Sequence, residues 1–571
     1  MTPHLLEVAR AEAPADLLLE GGRVVNVFTG QIEQTNVAIA DGRIAGIGNY
    51  TRGNQVVHLN GAYVAPSFID AHMHVESTML PPSEFVKLAA PHGTTGVVLD
   101  PHEIANVLGI PGIRYIMQDA QGLPLDAMFA LSSCVPSSPL ETGGARLEAQ
   151  DLAPLFEDPR VVALAEVMNY PGVVRGDPGL LAKIALGLKY GVVDGHAPGL
   201  RDHNLNAYIA SGVSSDHECT TADEAAEKLS RGMHIHIREG SAARNLEALL
   251  PLITPATKHR FSFCTDDRHP VDLDEEGHID HIVRKAIRLG MDPVTAIAIG
   301  SLHTADHYQR RDVGAIAPGY FADFMVFDDL QDLRPRYVYF RGSLIAENGK
   351  YTGPSPARAP APKSPVRLPQ DLSVDSFRIP ATTSARAIRV IGMDPHQLVT
   401  ASLSMPGTIK DGHYTADPAR DLLKLAVIER HRGTGNIGLG FVKGFGFSRG
   451  ALASTVGHDS HNLAVVGASD EDMNVAARAV AEAGGGQCVV LNGQVLALLP
   501  LPIAGLMSDQ PAATVIAQQK LLLAASRSLG CPHHDPFMPL SFLPLPVIPH
   551  LKLTDLGLVD VDQFRIVPLE V

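Results

Sequence analysis

The run FIDAHMH places His72 and His74 two residues apart. On an extended chain, residues two apart point the same way, so both imidazoles can face one ion. The pair by itself equally fits a polar turn. Further on, other metal-ligand types close apolar runs: Glu166 in ALAEVM, His196 in VVDGHAPG, His217 in SSDHECTT and Asp266 in FSFCTDDRH. A carboxylate amid apolar residues, as at Glu166, is costly unless it is paired or ligating. Each of these residues alone is more often hydrogen-bonded structure, but all six share one position, the end of a strand-like run. Four His and two carboxylates exceed the needs of one tetrahedral ion. Glu166 can bridge two ions, each taking two His, with Asp266 on one of them. Imidazole and carboxylate without thiolate suit two divalent ions of Mn or Fe(II), with Zn also compatible. Such ions bring the pKa of a bound water to about 7 and so supply hydroxide at neutral pH.

Other groups belong to the same rim. Asp100-Pro101-His102-Glu103 follows the second run; Asp100 and Glu103 can contact a substrate or cap the helix that begins there. Arg238 and Glu239 close the seventh run, where they can orient ligands or substrate, or pair with each other. His74-Val-Glu76 matches the HxE of small zinc deaminases, but the PCxxC they need is missing. His458-Asp459-Ser460-His461 can cover the site, bind an ion or stabilise a turn.

These residues need a scaffold that gathers strand ends. From Tyr63 onward, eight apolar runs alternate with helical stretches: 64–71, 95–100, 126–132, 161–167, 191–196, 213–217, 233–238 and 260–266. Helix signals separate them: Asp177-Pro178 and Asp292-Pro293 as N-cap followed by Pro, and Thr221 to Glu224 as a capping box. This is the arithmetic of an α/β fold, a (β/α)8 barrel, whose chemistry collects at the C-terminal ends of its strands. No GxGxxG supports a doubly wound sheet. Residues 63–310 are therefore expected to form the barrel. Residues 1–62, with a hairpin at Asp41-Gly42, and residues 311–352 are expected to form one small β-domain, left and re-entered by the chain. Six Pro crowd 353–369, so 353–385 reads as a linker. Residues 386–571 read as a separate α/β domain, with a helix at 471–483 capped by Asp470 and a hairpin at Asn492-Gly493.

The 571 residues are 45% hydrophobic and 19% charged, which excludes wholesale disorder. With 46 Lys and Arg against 62 Asp and Glu, a formal charge of −16, nucleic acid is not an expected partner, although a free base is not excluded. No apolar stretch is long enough to span a membrane, and no signal peptide is visible. Five Cys without a CxxC fit reduced thiols and a cytoplasmic location.

FIDAHMH, a fourth-strand acid, two His and a final Asp together resemble the amidohydrolase superfamily. HMHVESTML, APHGTTGVVLDPHEIANVLG, AEVMNYPGV, IREGSAARNL, GNIGLGFVKGFG, LPLPIAGLMSD and LPVIPHLKLTD make nearly the whole chain resemble the bacterial adenine deaminases. The resemblance implies hydrolysis of adenine to hypoxanthine and ammonia at a binuclear Mn or Fe centre held by His72, His74, Glu166, His196, His217 and Asp266. Hydroxide would attack C6, an acid would protonate N1, and the amine would leave protonated. Asp266 is then the expected proton shuttle, with Glu103 and His217 also catalytic and Asp100, Glu103 and Arg238 on the purine. A homodimer is expected. The alternatives are a cyclic-amide hydrolase of the dihydroorotase or hydantoinase type, which usually bridges its ions with a carboxylated Lys, and a non-catalytic scaffold. The C-terminal domain is expected to shield the barrel mouth through His458–His461, leaving a truncated barrel folded but poorly active.

Overall fold

Eight parallel strands form the centre of the computed structural model, which describes all residues except 1, 363, 365, 383–386 and 395–397. They are β1 (Phe68–Met73), β2 (Thr94–Leu99), β3 (Asp126–Leu131), β4 (Val161–Val167), β5 (Val192–Gly195), β6 (Ser215–Asp216), β7 (His234–Arg238) and β8 (Phe261–Cys264). β1 to β5 pair in chain order as one sheet, and β6 to β8 as another. Met73 bridges Asp266 in parallel at one seam. There Asp266 N–H donates to the His72 carbonyl at 3.0 Å and His74 N–H to the Asp266 carbonyl at 3.2 Å. At the other seam Ser214 N–H reaches the Val193 carbonyl at 2.9 Å. The ring is closed. Its strands are buried on both faces, which is why they read as near-continuous apolar runs.

The run 64–71 is split at Ser67. Tyr63–Pro66 lies antiparallel to Phe324–Phe327 and parallel to Arg23 and Val24, within a nine-stranded sheet built from both ends of the barrel segment. The backbone changes partners at that point: Ser67 N–H bonds the Asp323 carbonyl at 3.2 Å, while Phe68 N–H bonds Gly93 at 2.8 Å. Asp41 and Gly42 take φ of 51° and 72°, as a two-residue hairpin turn requires.

Asp177 and Asp292 cap their helices, accepting from Leu180 N–H at 3.0 Å and Thr295 N–H at 2.8 Å. Thr221 caps too, but the reciprocal half of its box is missing. The Glu224 carboxylate instead accepts from Gly199 N–H at 2.8 Å and from Lys228 at 2.7 Å. Lys228 is fully buried and also holds Asp216, at the end of β6, at 3.0 Å. We expect Lys228→Met to strand that carboxylate and to lower stability by about 3–5 kcal/mol, measured by urea unfolding of the metal-replete protein.

Beyond residue 400 the chain forms most of an eight-stranded sheet, which Ile388–Gly392 joins. Helices Asp470–Glu482 and Ala512–Ser528 pack beside it. The first is capped by Ser469, whose hydroxyl accepts from Asp472 N–H at 3.2 Å. Asp470 is the first helical residue, and its carboxylate turns to Lys424 at 2.7 Å. Asn492-Gly493 makes the expected hairpin, with φ of 52° and 74°. The described part of 353–369 has no regular structure; it lies on the barrel where Ala359 N–H bonds Asp119 at 2.8 Å and Arg358 pairs with Glu84 at 2.5 Å, and on the C-terminal part where Arg367 N–H bonds the Arg430 carbonyl at 3.0 Å. The expected boundary at 385/386 falls outside the described residues. One apolar core runs from the barrel, through Phe85 and Val515, to Leu425 and Val466 under the second sheet. The C-terminal part is thereby fixed against the barrel rim. Among the described residues no helix is long and apolar enough to cross a membrane.

Candidate metal centre and active site

Parallel strands bring their C-terminal ends to one rim, and six side chains converge there. His72 and His74 lie at the end of β1, Glu166 near the end of β4, and His196 and His217 directly after β5 and β6. Asp266 lies two residues past β8, at a φ of 57°. All six are buried. Glu166 sits at their centre. Its Oε2 faces His196 Nδ1 at 2.5 Å and His217 Nε2 at 3.2 Å. Its Oε1 faces His74 Nε2 at 3.4 Å, His102 Nδ1 at 3.4 Å and His72 Nε2 at 3.8 Å. One carboxylate thus serves two separate imidazole sets.

The donors fit divalent ions. His72, His102, His196 and His217 each keep a buried Nε2 without a well-formed hydrogen bond. His72 with His74 and Asp266, and His72 with Glu166 and His217, form groups whose ligand atoms lie within 4.8 Å of one another. Charge points the same way. Burial pushes the Glu166 and Asp266 carboxyls up, but the surrounding cations prevail and hold both well below the usual range: His196 first for Glu166, Arg238 first for Asp266. His72 goes the other way, pushed well below the usual imidazole range by burial and then by His217, a direction that favours the neutral ring a ligand needs. Burial also lowers His217, yet Glu166 and Asp266 bring it up to about 9. The carboxylates demand positive charge at this spot.

Asp266 is held on both sides. Oδ1 lies 3.2 Å from His74 Nε2, and Oδ2 accepts from Arg238 and lies 3.7 Å from His217. The Arg238 fork also grips Glu218 through both terminal nitrogens, at 2.6 and 3.0 Å. Glu239, its neighbour in sequence, pairs instead with Lys285 at 3.0 Å.

Asp100 stands one step back from the cavity. Its Oδ2 meets His102 Nδ1 at 2.9 Å, while Oδ1 accepts from His102 N–H at 3.1 Å and Ser132 Oγ at 3.3 Å. Glu103, on the first turn of helix His102–Leu108, faces the C-terminal part of the chain. His458 Nδ1 reaches its Oε1 at 2.5 Å, and His461 Nε2 meets its Oε2. Burial pushes the Glu103 carboxyl up, but His458, His461 and His102 hold it well below the usual range. Burial lowers His458, but Glu103 and Asp267 bring it up to about 9. Phe542 stacks on the His458 ring at 4.3 Å. With Leu398, Leu545 and Ile548 it makes an apolar wall opposite the imidazoles and carboxylates.

Of the candidates from the sequence, Glu239 turns away to Lys285 and Leu246 N–H, while the six ligand-type residues, Asp100, Glu103 and Arg238 lie in or beside this cluster. Sequence reasoning did not assign His102, Glu218 or Asp267 to the site, although each directly adjoins a residue that it had chosen or named. All three lie two or three residues past a strand end, in the turns that follow Leu99, Asp216 and Cys264. His458 and Asp459 line the cavity, joining it to a part of the chain more than 350 positions away from Glu103.

Residues 63–350 match the amidohydrolase family, and residues 397–565 match the adenine deaminase C-terminal domain. The chain is 47% identical over 571 residues to a Desulfatibacillum aliphaticivorans protein named adenine deaminase, covering 99% of each chain. It is 48% identical over 568 residues to adenine deaminase 2 of Carboxydothermus hydrogenoformans, again covering 99% of each. A Kosmotoga olearia adenine deaminase is 47% identical over 567 residues, covering 99% of this chain and 98% of its own.

Proposed function

The chain belongs to the adenine deaminase family of amidohydrolases, and on that premise we propose that it hydrolyses adenine to hypoxanthine and ammonia in a metal-dependent reaction. The observation that carries this reading is Glu166, whose two oxygens face two imidazole sets. Cyclic-amide hydrolases usually bridge their ions with a carboxylated Lys, and the residue here is Glu. In the proposal His72, His74, Glu166, His196, His217 and Asp266 hold two divalent ions, Mn or Fe(II) for preference. His102 and Glu218 lie close enough to assist. When bound, such ions lower the pKa of water to about 7 and supply the nucleophile.

The chain's own residues manage position and protons. Water adds at C6 of adenine, the C6–N bond breaks, and ammonia departs carrying a proton that the amine must acquire. Asp266 takes the proton of the attacking water and returns it to the amine. Arg238 holds the carboxylate in place and keeps it ionised, while His217 flanks it. Glu103 and His458 face the ring nitrogens as a proton-carrying pair, and Asp100 acts through His102, as a positioning residue. The wall of Phe542, Leu398, Leu545 and Ile548 takes the flat face of the base and excludes water. His458→Gln is expected to lower kcat/KM for adenine by about a hundredfold with metal content unchanged, checked by kinetics alongside elemental analysis.

The same reading makes the protein a cytoplasmic dimer acting on a free base; five buried free thiols suit a reducing compartment. A substrate panel tests the function. Adenine should be converted to hypoxanthine, with adenosine and dihydropyrimidines at least about a hundredfold slower. Comparable turnover of adenosine, or ring opening of a dihydropyrimidine without deamination of adenine, would overturn it.

A further inference from the structure

Directly beneath the catalytic layer the barrel holds a second group of ligand-type side chains. Asp194 precedes His196 by two on β5, and His236 precedes Arg238 by two on β7. Both therefore point into the barrel, one layer deeper. That layer is ordinarily filled by branched aliphatic side chains. His307, at the end of helix Leu302–His307, joins them. Its Nε2 lies 3.0 Å from Asp194 Oδ1, and His236 Nε2 lies 3.7 Å from the same oxygen. The three donors all fall within 4.8 Å of one another. Ligands bonded to one ion at about 2.0–2.2 Å sit roughly 3–4 Å apart, which is this spacing.

Hydrogen bonding accounts for only part of the group: His307 Nε2 and Asp194 Oδ1 are a hydrogen-bonded pair, but His236 is left out of it. His236 is 1% exposed, and neither of its ring nitrogens has a hydrogen-bond partner. Two more imidazoles crowd it, with ring centroids 5.1 Å away at His234 and 4.9 Å at His307. Orphaned polar atoms in a dry interior are costly, and the Asp194 carboxylate, already bonded by His307, leaves both nitrogens of His236 unserved. The carboxylate itself is oriented as a metal ligand is, by neighbouring donors: Tyr308 Oη to Oδ2 at 2.9 Å and Ser215 Oγ to Oδ1 at 2.6 Å. His234 is already engaged, with Nε2 at 2.8 Å from Ser262 Oγ.

We propose that Asp194, His236 and His307 bind a further divalent transition-metal ion, separate from the catalytic pair, inside the barrel. Two imidazoles and a carboxylate without thiolate select the Zn, Co, Fe(II) and Mn class. The ion would tie helix Leu302–His307 to β5 and β7 below the catalytic layer.

Zn(II) is the probe. Chelated full-length protein is reloaded with Zn(II), desalted and analysed for metal per chain, with His307→Gln treated in parallel. Wild type is expected to retain one equivalent more than His307→Gln, while the variant keeps its turnover of adenine. The comparison is a difference, so it does not depend on how many ions the catalytic site takes. Equal zinc content in the two proteins overturns the proposal. Anomalous diffraction at the zinc edge from wild-type crystals gives the answer without any variant. A peak between Asp194, His236 and His307 supports the site; zinc at the catalytic residues with no peak there overturns it.

Discussion

Glu166→Gln is expected to keep the barrel folded, to bring bound metal from about two ions per chain to one or fewer, and to lower kcat for adenine by at least about a thousandfold. Gln has nearly the same shape, so packing at the end of β4 is preserved. What changes is the chemistry of one atom. Glu166 presents an anionic oxygen to His196 and His217 on one side and to His74 and His102 on the other. An amide must turn an NH2 group toward one of these sets, where it cannot ligate, and the negative charge that two bound ions would share is lost. Elemental analysis and circular dichroism on one sample decide the matter. Two full equivalents of metal in the variant would rule out a bridging role.

Asp266→Asn is expected to lower kcat by at least about a hundredfold, with KM much less affected. Asn cannot accept the water proton or return it to the amine. The surroundings should tolerate the change, because the Arg238 fork remains paired with Glu218 through both nitrogens. A loss of activity with metal retained would therefore report on proton transfer and not on a collapsed site. Near-normal turnover with intact metal would remove Asp266 from that role.

Much of this was legible because a parallel barrel writes itself into sequence in a simple way. Buried parallel strands are apolar runs, and the residues at their ends make up the candidate site. That rule found Glu166 and Asp266 although they are far apart in sequence. It passed over His102 and Glu218, because both lie in the turns past a strand end, where side-chain direction depends on local geometry that spacing does not reveal. It also read 64–71 as one strand, since a change of hydrogen-bond partners at Ser67 leaves no mark in hydropathy. The interleaving of Glu103 with His458 and His461 was beyond local pattern altogether, being a contact across more than 350 positions. The same long-range packing bears on the expectation for a truncated barrel. Phe85 and Val515 belong to one core with Leu425, so a chain cut after the Pro-rich segment would expose that core and is not expected to fold. His458→Gln is the better probe of the C-terminal wall.

The most direct test of the account follows adenine, hypoxanthine and ammonia together in purified protein before chelation, after chelation, and after reloading with Mn(II) or Fe(II). The account predicts one hypoxanthine and one ammonia for each adenine consumed, activity lost with the metal, and activity restored when about two ions per chain return. Metal-replete protein that leaves adenine unchanged, or that deaminates it equally well after all metal is removed, would contradict it.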